Sequence, residues 1–270
     1  MKMELHILAA AAALLAARPT ALADGAATAA GGERKTGDAM SLTLPGGAAM
    51  EMLWCAPGSF EMGSPETEPG RFDDEPRRSV SIKRGFWLGK YEVTQRQWES
   101  VMRGNPSKFR DPDRPVETVS WHDCEIFIRR VNAALADKSV RLPTEAEWEY
   151  ACRAGSGNPV AGSGMIGDMA WYDVNSDSQT HVVGRNKPNA WGFYDMHGNV
   201  LEWCSDWFSV PQAADAVDPK GPPNGSFKVL RGGCWFFYER DCRCAYRLRR
   251  EPSLRNCIFG FRLACTERGR

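Results

Sequence analysis

Apolar and polar residues alternate along the chain from Ser41 to Met62. Because successive residues of a strand face opposite sides, this alternation predicts a half-buried β-hairpin. Short apolar runs at Val80–Ile82 and Phe86–Leu88 predict two further strands. Between the hairpin and these strands, the stretch from Ser64 to Arg78 contains five carboxylates, several prolines and a glycine. This composition is typical of a solvated loop.

Three segments carry the signals of helix N-termini. In each one a Ser or Thr that can accept a backbone hydrogen bond precedes a run with helical spacing. The predicted helices are Gln95–Met102 after Thr94, Trp121–Leu135 after Ser120, and Glu145–Arg153 after Thr144. Glu147 stands three residues after Thr144, which completes a capping box. In the second helix, Cys124, Phe127, Ile128 and Val131 lie on one face and predict its buried stripe.

The C-terminal third contains fewer regular signals. Lys228–Leu230 and Phe259–Cys265 are predicted as strands. Many aromatic, aliphatic and cysteine residues lie between these two strands. Their positions show neither a sustained two-residue nor a sustained 3.6-residue periodicity. A core segment, a ligand-gripping surface and an active site are all compatible with that pattern.

Composition narrows the class of protein. The 270 residues contain 34 basic and 34 acidic side chains, so no net basic field attracts nucleic acid. The chain also contains 26 glycines, 17 prolines and ten tryptophans. These numbers indicate many turns held by large aromatic anchors, and therefore little regular secondary structure. The length suits one large domain.

The N-terminus has the features of a secretory signal. Lys2 precedes an apolar run from Ile7 to Ala17, and Ala21 and Ala23 supply small residues for cleavage. The run is about eleven residues long, whereas a membrane span needs about twenty. We therefore expect a signal peptide at residues 1–23, no membrane span, and a secreted or periplasmic protein. Residues 24–40 have almost no large apolar side chain and are predicted to be a flexible linker.

Oxygen ligands are concentrated near residue 200. Asp195 and Glu202 supply two carboxylates, and Gly198 and Val200 two main-chain carbonyls, within eight residues. Oxygen-only ligand sets suit Ca²⁺, so these four residues are predicted to bind a structural calcium ion. No second histidine lies at ligand spacing from His197, and the sequence therefore disfavours a histidine-based zinc or iron site.

Several motifs occur in a fixed order between Ser41 and Ala264. They are FEMGS from Phe60, GKYEVTQRQW from Gly89, PVETVSWHDC from Pro115, RLPTEAEWEYACRAG from Arg141, DMHGNVLEW from Asp195, RGG from Arg231 and GFRL from Gly260. Together they resemble the sulfatase-modifying-factor family, which includes the formylglycine-generating enzymes. The resemblance implies one domain over residues 41–266, with the α+β, C-type-lectin-like fold of that family.

The resemblance also implies copper chemistry, with one departure. In the formylglycine-generating enzymes two cysteines five positions apart hold Cu(I), and the second is followed by a small residue and an arginine. RCAYR matches the second cysteine at Cys244, but Glu239 stands at the first position. The nearest thiol is Cys242, so Cys242 and Cys244 are the candidate catalytic pair. In an extended strand their Cα atoms would be about 6.6 Å apart; Cys234 or Cys257 are alternative partners.

Other family members bind ligands without oxidising them, and some vary residues between fixed motifs. The candidate ligand-binding residues here are Cys234, Trp235, Phe236, Phe237, Tyr238, Asp241, Arg243, Arg247, Leu248, Leu254 and Cys257. Of these, Trp235, Arg243 and Arg247 belong to the fixed motifs, and the other eight are the positions expected to vary. We therefore expect an exported family member that recognises a protein, peptide or small molecule with its C-terminal loop. The alternatives are a copper-dependent oxidase that converts the cysteine of a sulfatase C-x-P-x-R segment to formylglycine, and a periplasmic maturation factor. The nine cysteines are an odd number, so at least one stays outside any disulfide.

Overall fold

The computed structural model describes residues 34–268, which lie within one compact unit that begins at Arg34. The expected signal peptide and residues 24–33 of the expected linker lie outside this range. Within it, no helix combines the length and apolar character that a membrane span requires.

The described residues combine short strands with a few short helices. The strands are β1 (Ala39–Thr43), β2 (Ala49–Cys55), β3 (Gly58–Met62), β4 (Arg78–Ile82), β5 (Phe86–Gly89), β6 (Lys138–Arg141), β7 (Ala170–Trp171), β8 (His197–Gly198), β9 (Leu201–Trp207), β10 (Ala216–Val217), β11 (Lys228–Arg231), β12 (Arg247–Arg250), β13 (Phe259–Gly260) and β14 (Ala264–Glu267). The α-helices are α1 (Gln95–Val101), α2 (Trp121–Ala134), α3 (Glu145–Arg153) and α4 (Ile166–Met169), and a 3₁₀-helix spans Glu239–Cys242.

The strands form four small sheets. Their orders are β1-β2-β5-β14-β6, β10-β4-β3, β12-β11-β9-β13 and β7-β8. The C-terminal strand β14 lies between β5 and β6, with Ala264 opposite Leu88 on one side and Arg141 on the other. The predicted α+β, C-type-lectin-like fold is confirmed, and the fold brings the two ends of the domain into one sheet.

The three predicted helix starts are confirmed. The hydroxyls of Thr94, Ser120 and Thr144 each accept the N–H three residues on. In each case that third residue returns a side-chain hydrogen bond to the cap backbone, so all three helices begin with a complete capping box. Helix α3 has the predicted bounds, whereas α1 and α2 each end one residue earlier than predicted.

Two strand predictions were wrong in detail. Strand β3 does not complete a hairpin with β2 but pairs with β4 in another sheet. The predicted strand Phe259–Cys265 is two strands, β13 beside β9 and β14 beside β5. Between them the chain passes from one sheet to the other while Arg262 points into the interior and pairs with Glu202. A single continuous strand could not pair with both β9 and β5, because these two strands belong to different sheets.

The core lies on both faces of the five-stranded sheet. In β2, Met52 belongs to one apolar cluster and the next residue, Leu53, to a second. Helix α2 contributes its predicted stripe to the first cluster, and α3 contributes Trp148 and Cys152 to the second. Alternate strand residues face opposite sides, so the two helices cover opposite faces of this sheet. Helix α3 therefore lies on the side where the candidate site forms.

Candidate functional site

The turn that enters β9 is built from left-handed backbone conformations. Asp195, Gly198 and Asn199 have φ angles of 55°, 77° and 58°. A Cβ atom on Gly198 would lie 2.1 Å from the carbonyl oxygen of Trp171. Only glycine fits this position, because its φ is positive and the neighbouring backbone leaves no room. The turn thus places the residues around it at fixed positions beside β7.

Three carboxylates are buried behind this turn. Glu92, Asp195 and Glu202 expose 1%, 2% and 0% of their surface. The buried guanidinium of Arg262 donates to both oxygens of Glu202 at 2.6 Å, and Trp148 Nε1 donates to the same carboxylate at 2.7 Å. Three acids and one guanidinium leave two negative charges without a counter-charge if all three acids are ionised.

Asp195 has an oxygen without a partner. Its Oδ2 accepts the N–H of Gly184 at 2.7 Å, whereas its buried Oδ1 accepts no hydrogen bond. Burial raises the pKa of Asp195 to about 6. Burial, and then the charges of Asp195 and Glu202, raise the pKa of Glu92 well above its usual range. The orphaned Oδ1 of Asp195 suits a hard divalent cation, although the ligand atoms of the three acids do not all lie within 4.8 Å of one another.

The structure thus places the predicted calcium ligands Asp195, Gly198, Val200 and Glu202 in and just after one turn. Glu202 is held by Arg262, and the N–H of Val200 donates to Glu92 at 3.1 Å. Sequence reasoning missed Glu92, because more than a hundred residues separate it from this turn and only the fold brings them together.

A second group lies under the same turn. The sulfur of Cys152, on α3, lies 3.6 Å from the sulfur of Cys244 and 3.8 Å from Nε2 of His197. The three ligand atoms all lie within 4.8 Å of one another, and no other set of three or more Cys, His, Asp or Glu in residues 34–268 meets that criterion. The side chains expose 0–1% of their surface. We call these three residues the Cys-His-Cys cluster.

The protonation pattern of the Cys-His-Cys cluster follows from its hydrogen bonds. His197 Nδ1 lies 2.7 Å from the carbonyl oxygen of Cys242, and Nε2 accepts the N–H of Ala161 at 3.2 Å. The proton is therefore on Nδ1, and the unprotonated Nε2 accepts from Ala161 while lying 3.8 Å from the sulfur of Cys152. Burial raises the pKa of Cys152, whereas the hydrogen bond from the Cys152 thiol holds the pKa of Cys244 well below its ordinary value.

Cys242 is not part of this cluster. It ends the 3₁₀-helix rather than lying in a strand with Cys244, and its thiol faces the backbone N–H of Cys234. Burial raises its pKa well above the usual range. Glu239, at the position where the family resemblance implies a thiol, is exposed. The structure therefore gives Cys244 a partner, Cys152, that the sequence spacing did not indicate.

The C-terminal loop, residues 234–258, divides into anchors and exposed positions. The buried candidate residues are Cys234, Trp235, Cys242, Arg243, Cys244 and Arg247. The partly buried ones are Phe237, Asp241, Leu248 and Cys257. Phe236, Tyr238 and Leu254 expose 65%, 64% and 41% of their surface. Only the last set offers large apolar area to a ligand.

The arginines of the loop hold it in place. Arg243 donates to Glu68 at 2.6 Å, to both oxygens of Glu75 at 2.9 Å, and to the carbonyl of Gly70 at 2.8 Å. Arg247 forms a two-point pair with Glu145. These side chains are buried, so they brace the loop and do not present a charge to solvent.

A groove of about 780 Å³ opens beside the exposed aromatic residues. Its lining residues are Pro69, Gly70, Pro159, Val160, Gly164, Tyr238, Glu239, Arg240 and Arg243. The walls are mostly apolar, and exposed Glu239 and Arg240 lie among them. Such a groove suits a ligand segment in which an apolar side chain lies between polar groups.

Known proteins resemble this chain over most of its length. Chaperone protein LppX of Paenibacillus barcinonensis is 32% identical over 227 residues, which cover 65% of this chain and 76% of LppX. The formylglycine-generating enzyme of Streptomyces coelicolor is 36% identical over 173 residues, which cover 57% of this chain and 53% of the enzyme. The chain thus spans about half the length of that enzyme.

Solved structures share the fold. Treponema denticola variable protein 1 superimposes with a TM-score of 0.77 at 31% identity, covering 84% of this chain and 98% of that one. PvdO from Pseudomonas aeruginosa gives 0.77 at 28% identity, covering 86% and 99%. The family model described as Sulfatase-modifying factor enzyme 1-like domain matches residues 41–267. The chain therefore belongs to the sulfatase-modifying factor family, which includes the formylglycine-generating enzymes.

Proposed function

We propose that this protein is an exported, calcium-stabilised member of the family that binds a polypeptide with its C-terminal loop and does not oxidise it. The observation that carries the proposal is the division of that loop. Phe236 and Tyr238 are exposed, with Tyr238 lining the groove, whereas the thiol of Cys244 is wholly buried. The loop has a surface for contact, whereas the cysteine matched to the family's second copper-binding position is inaccessible to a substrate.

The oxidase alternative lacks two requirements. The family resemblance implies a second thiolate at position 239, and Glu239 offers only hard oxygen ligands there, which suit Cu(I) poorly. A peptide substrate must also reach the reacting sulfur, and Cys244 exposes 0% of its surface. Both features argue against conversion of a C-x-P-x-R cysteine at this site.

A polypeptide ligand is favoured by the chemistry of the exposed surface. Aromatic side chains are enriched at protein interfaces, and a few of them supply most of the binding energy. Trp235, buried between Phe109 and the loop, donates its indole N–H to the carbonyl of Cys257 and fixes the base of the surface. The name of the relative LppX, a chaperone protein, supports a polypeptide partner and keeps a maturation role within this proposal.

Calcium would act at the carboxylates behind the turn. Asp195 would supply its free Oδ1, whereas Glu92 and Glu202, whose oxygens already accept hydrogen bonds, would contribute negative charge near the ion and not ligand atoms. Bound Ca²⁺ would neutralise the two charges that Arg262 leaves uncompensated. His197 lies in the same turn and contacts the C-terminal loop at the carbonyl of Cys242. Bound Ca²⁺ would therefore also stabilise this contact with the loop.

A display experiment tests the binding role. A random-peptide library is selected on residues 24–270, and the chosen peptides are measured by calorimetry. The double variant Phe236→Ala, Tyr238→Ala should weaken binding by about 2 kcal/mol, roughly thirtyfold. Val174→Ala is the matched control, because Val174 is 77% exposed and lies outside the loop. Equal affinity for the double variant and the wild type would refute the assignment of the binding surface.

A second experiment addresses the oxidase. A C-x-P-x-R peptide is incubated with the Cu(I)-loaded protein and O₂, and aldehyde formation is followed by mass spectrometry. We expect no conversion. Conversion that is lost in Cys244→Ser would replace the binding proposal with the oxidase.

A further inference from the structure

A cavity of about 530 Å³ lies where the start of β4, the start of α3 and the end of β9 meet the segment 209–221 that follows β9. It shares no lining residue with the groove beside Tyr238. We propose that this cavity binds a small organic acid, whose carboxylate pairs with Arg78 and whose apolar body packs against the segment 209–221. The proposal does not depend on polypeptide binding at the C-terminal loop.

Arg78 lines the cavity and has no counter-charge within residues 34–268. It is absent from the ion pairs of this range. Its buried Nε donates to no acceptor, and its Nη2 contacts the sulfur of Met62 at 3.8 Å. Burial lowers the pKa of Arg78. A guanidinium carries five N–H donors, so Arg78 keeps donors for a ligand that accepts hydrogen bonds.

The buried charges next to Arg78 already have partners. Arg247 forms a two-point pair with Glu145 and donates to two main-chain carbonyls. Asp206 accepts the N–H of Glu145 at 3.0 Å. Burial raises the pKa of Asp206 to about 7, so its carboxyl is about half protonated at neutral pH. The positive charge of Arg78 is therefore not fully compensated.

Asp206 supplies a second group that can bind a carboxylate. Its two hydrogen bonds, from the N–H of Glu145 and the hydroxyl of Ser205, both go to Oδ2. A proton on this carboxyl is therefore carried by Oδ1, which can donate to an acceptor in the cavity. Asp206 and Arg78 line the same cavity, and the charge of Asp206 influences the pKa of Arg78. One carboxylate, with two acceptor oxygens, can thus accept from both side chains.

The charge balance favours a carboxylate over a phosphate. A carboxylate carries one negative charge and matches the fork of a guanidinium. A phosphate group carries about 1.5 to 2 negative charges at pH 7, which would exceed the single charge of Arg78 and repel Glu145 and Asp206. The exposed Asp215 and Lys220, which also line the cavity, carry opposite charges and add no net charge.

The rest of the lining suits an apolar body. The apolar residues contributed by the end of β9 and the segment after it include Trp207, Val210, Pro211, Ala214 and Pro219. Val210 is 60% exposed, so a ligand that covers it removes apolar surface from water. The volume lies within the range of small-molecule sites, about 300–1,000 Å³. The cavity therefore fits an aromatic or branched aliphatic monocarboxylate.

The test measures binding of small acids to the full chain against their neutral amides. The probes are 3-phenylpropionate, 4-phenylbutyrate and 4-methylpentanoate, each paired with its amide, together with phenyl phosphate. Affinities are measured by ligand-observed NMR titration. We expect at least one acid to bind at least about tenfold more tightly than its amide, since a charge-assisted hydrogen bond contributes about that much. Arg78→Met should weaken binding of that acid at least about tenfold.

Arg77→Met is the matched control. Arg77 is the neighbouring arginine, forms an exposed pair with Glu61 and does not line this cavity, so this variant should keep the full affinity. Arg78→Lys should give an intermediate affinity, because lysine keeps the charge but loses the planar fork.

Melting of the protein without added acid separates a binding role of Arg78 from a structural one. Methionine fills similar volume without an uncompensated charge, so Arg78→Met should melt at or above the temperature of the wild type. A lower melting temperature would make Arg78 a structural residue and overturn the proposal. The same follows if no acid is preferred over its amide, if Arg78→Met and the wild type bind the acids equally, or if phenyl phosphate binds more tightly than every acid.

Discussion

Replacing Arg243 with methionine should cost about 3 kcal/mol of unfolding free energy. The guanidinium is 4% exposed, and it pairs with Glu68 and Glu75, whose side chains are 3% and 0% exposed. Methionine fills similar volume but leaves these two carboxylates in the interior without their counter-charge. It also removes the hydrogen bond to the carbonyl of Gly70. Breaking a buried pair by deleting one partner is strongly destabilising for this reason.

Urea unfolding at pH 7 measures the effect. For a domain of this size the slope is roughly 3 kcal/mol/M, so the midpoint should fall by roughly 1 M. Arg77→Met is the matched control. Arg77 pairs with Glu61 at 3.1 Å, but both side chains are more than half exposed, and exposed pairs contribute under about 1 kcal/mol. Hydrogen exchange should report faster opening of residues 239–246 in the Arg243 variant alone.

A rescue variant separates charge from packing. Adding Glu75→Gln to Arg243→Met removes one of the stranded charges and should recover part of the lost stability. If Arg243→Met unfolds at the same urea concentration as Arg77→Met, the guanidinium is not the buried counter-charge of the loop. If Glu75→Gln brings no recovery, the loss comes from packing.

Three further outcomes are expected. Excess chelator should lower the melting temperature of the wild type but not of Asp195→Ala, because the variant lacks the free carboxylate oxygen; an identical wild-type curve with and without chelator would eliminate the calcium site. Burial raises the pKa of Asp206 to about 7, against about 3.9 unfolded, so its stabilising contribution is full below pH 4 and is lost as the pH rises through 7. Asp206→Asn should therefore gain roughly 2–4 kcal/mol over the wild type between pH 4 and pH 8 by urea unfolding, and a pH-independent difference would contradict this. Sequences from independent isolates should vary at the exposed Phe236 and Tyr238 but not at the buried Cys234; variation at Cys234 with fixed aromatic residues would argue against a variable binding surface.

Local signals in the sequence determined the helices and the family. A capping box needs only a hydroxyl and a side chain three residues apart, so Thr144 and Glu147 identify the start of α3 without any tertiary contact. The ordered motifs likewise identify the family, because they span almost the whole domain.

Strand partners depended on the tertiary structure. The alternation that predicts β3 is the same whether its partner is β2 or β4, so the sequence could not distinguish a hairpin from a change of sheet. The division of Phe259–Cys265 into two strands follows from the burial of Arg262 against Glu202. That pair joins residues 60 positions apart, a separation at which no local pattern operates.

The candidate sites, like the strand partners, could be predicted only in part from the sequence. Asp195 and Glu202 lie close enough in sequence to suggest a cation, but Glu92 reaches them only through the fold. Spacing suggested Cys242 as the partner of Cys244, whereas the chain turns at the 3₁₀-helix and places Cys242 beside Cys234 instead. Cys152 and His197 reach Cys244 from a helix and a turn that are distant in sequence. Ligand geometry is a property of side chains that converge in space, and for this protein only the tertiary structure decided which side chains converge.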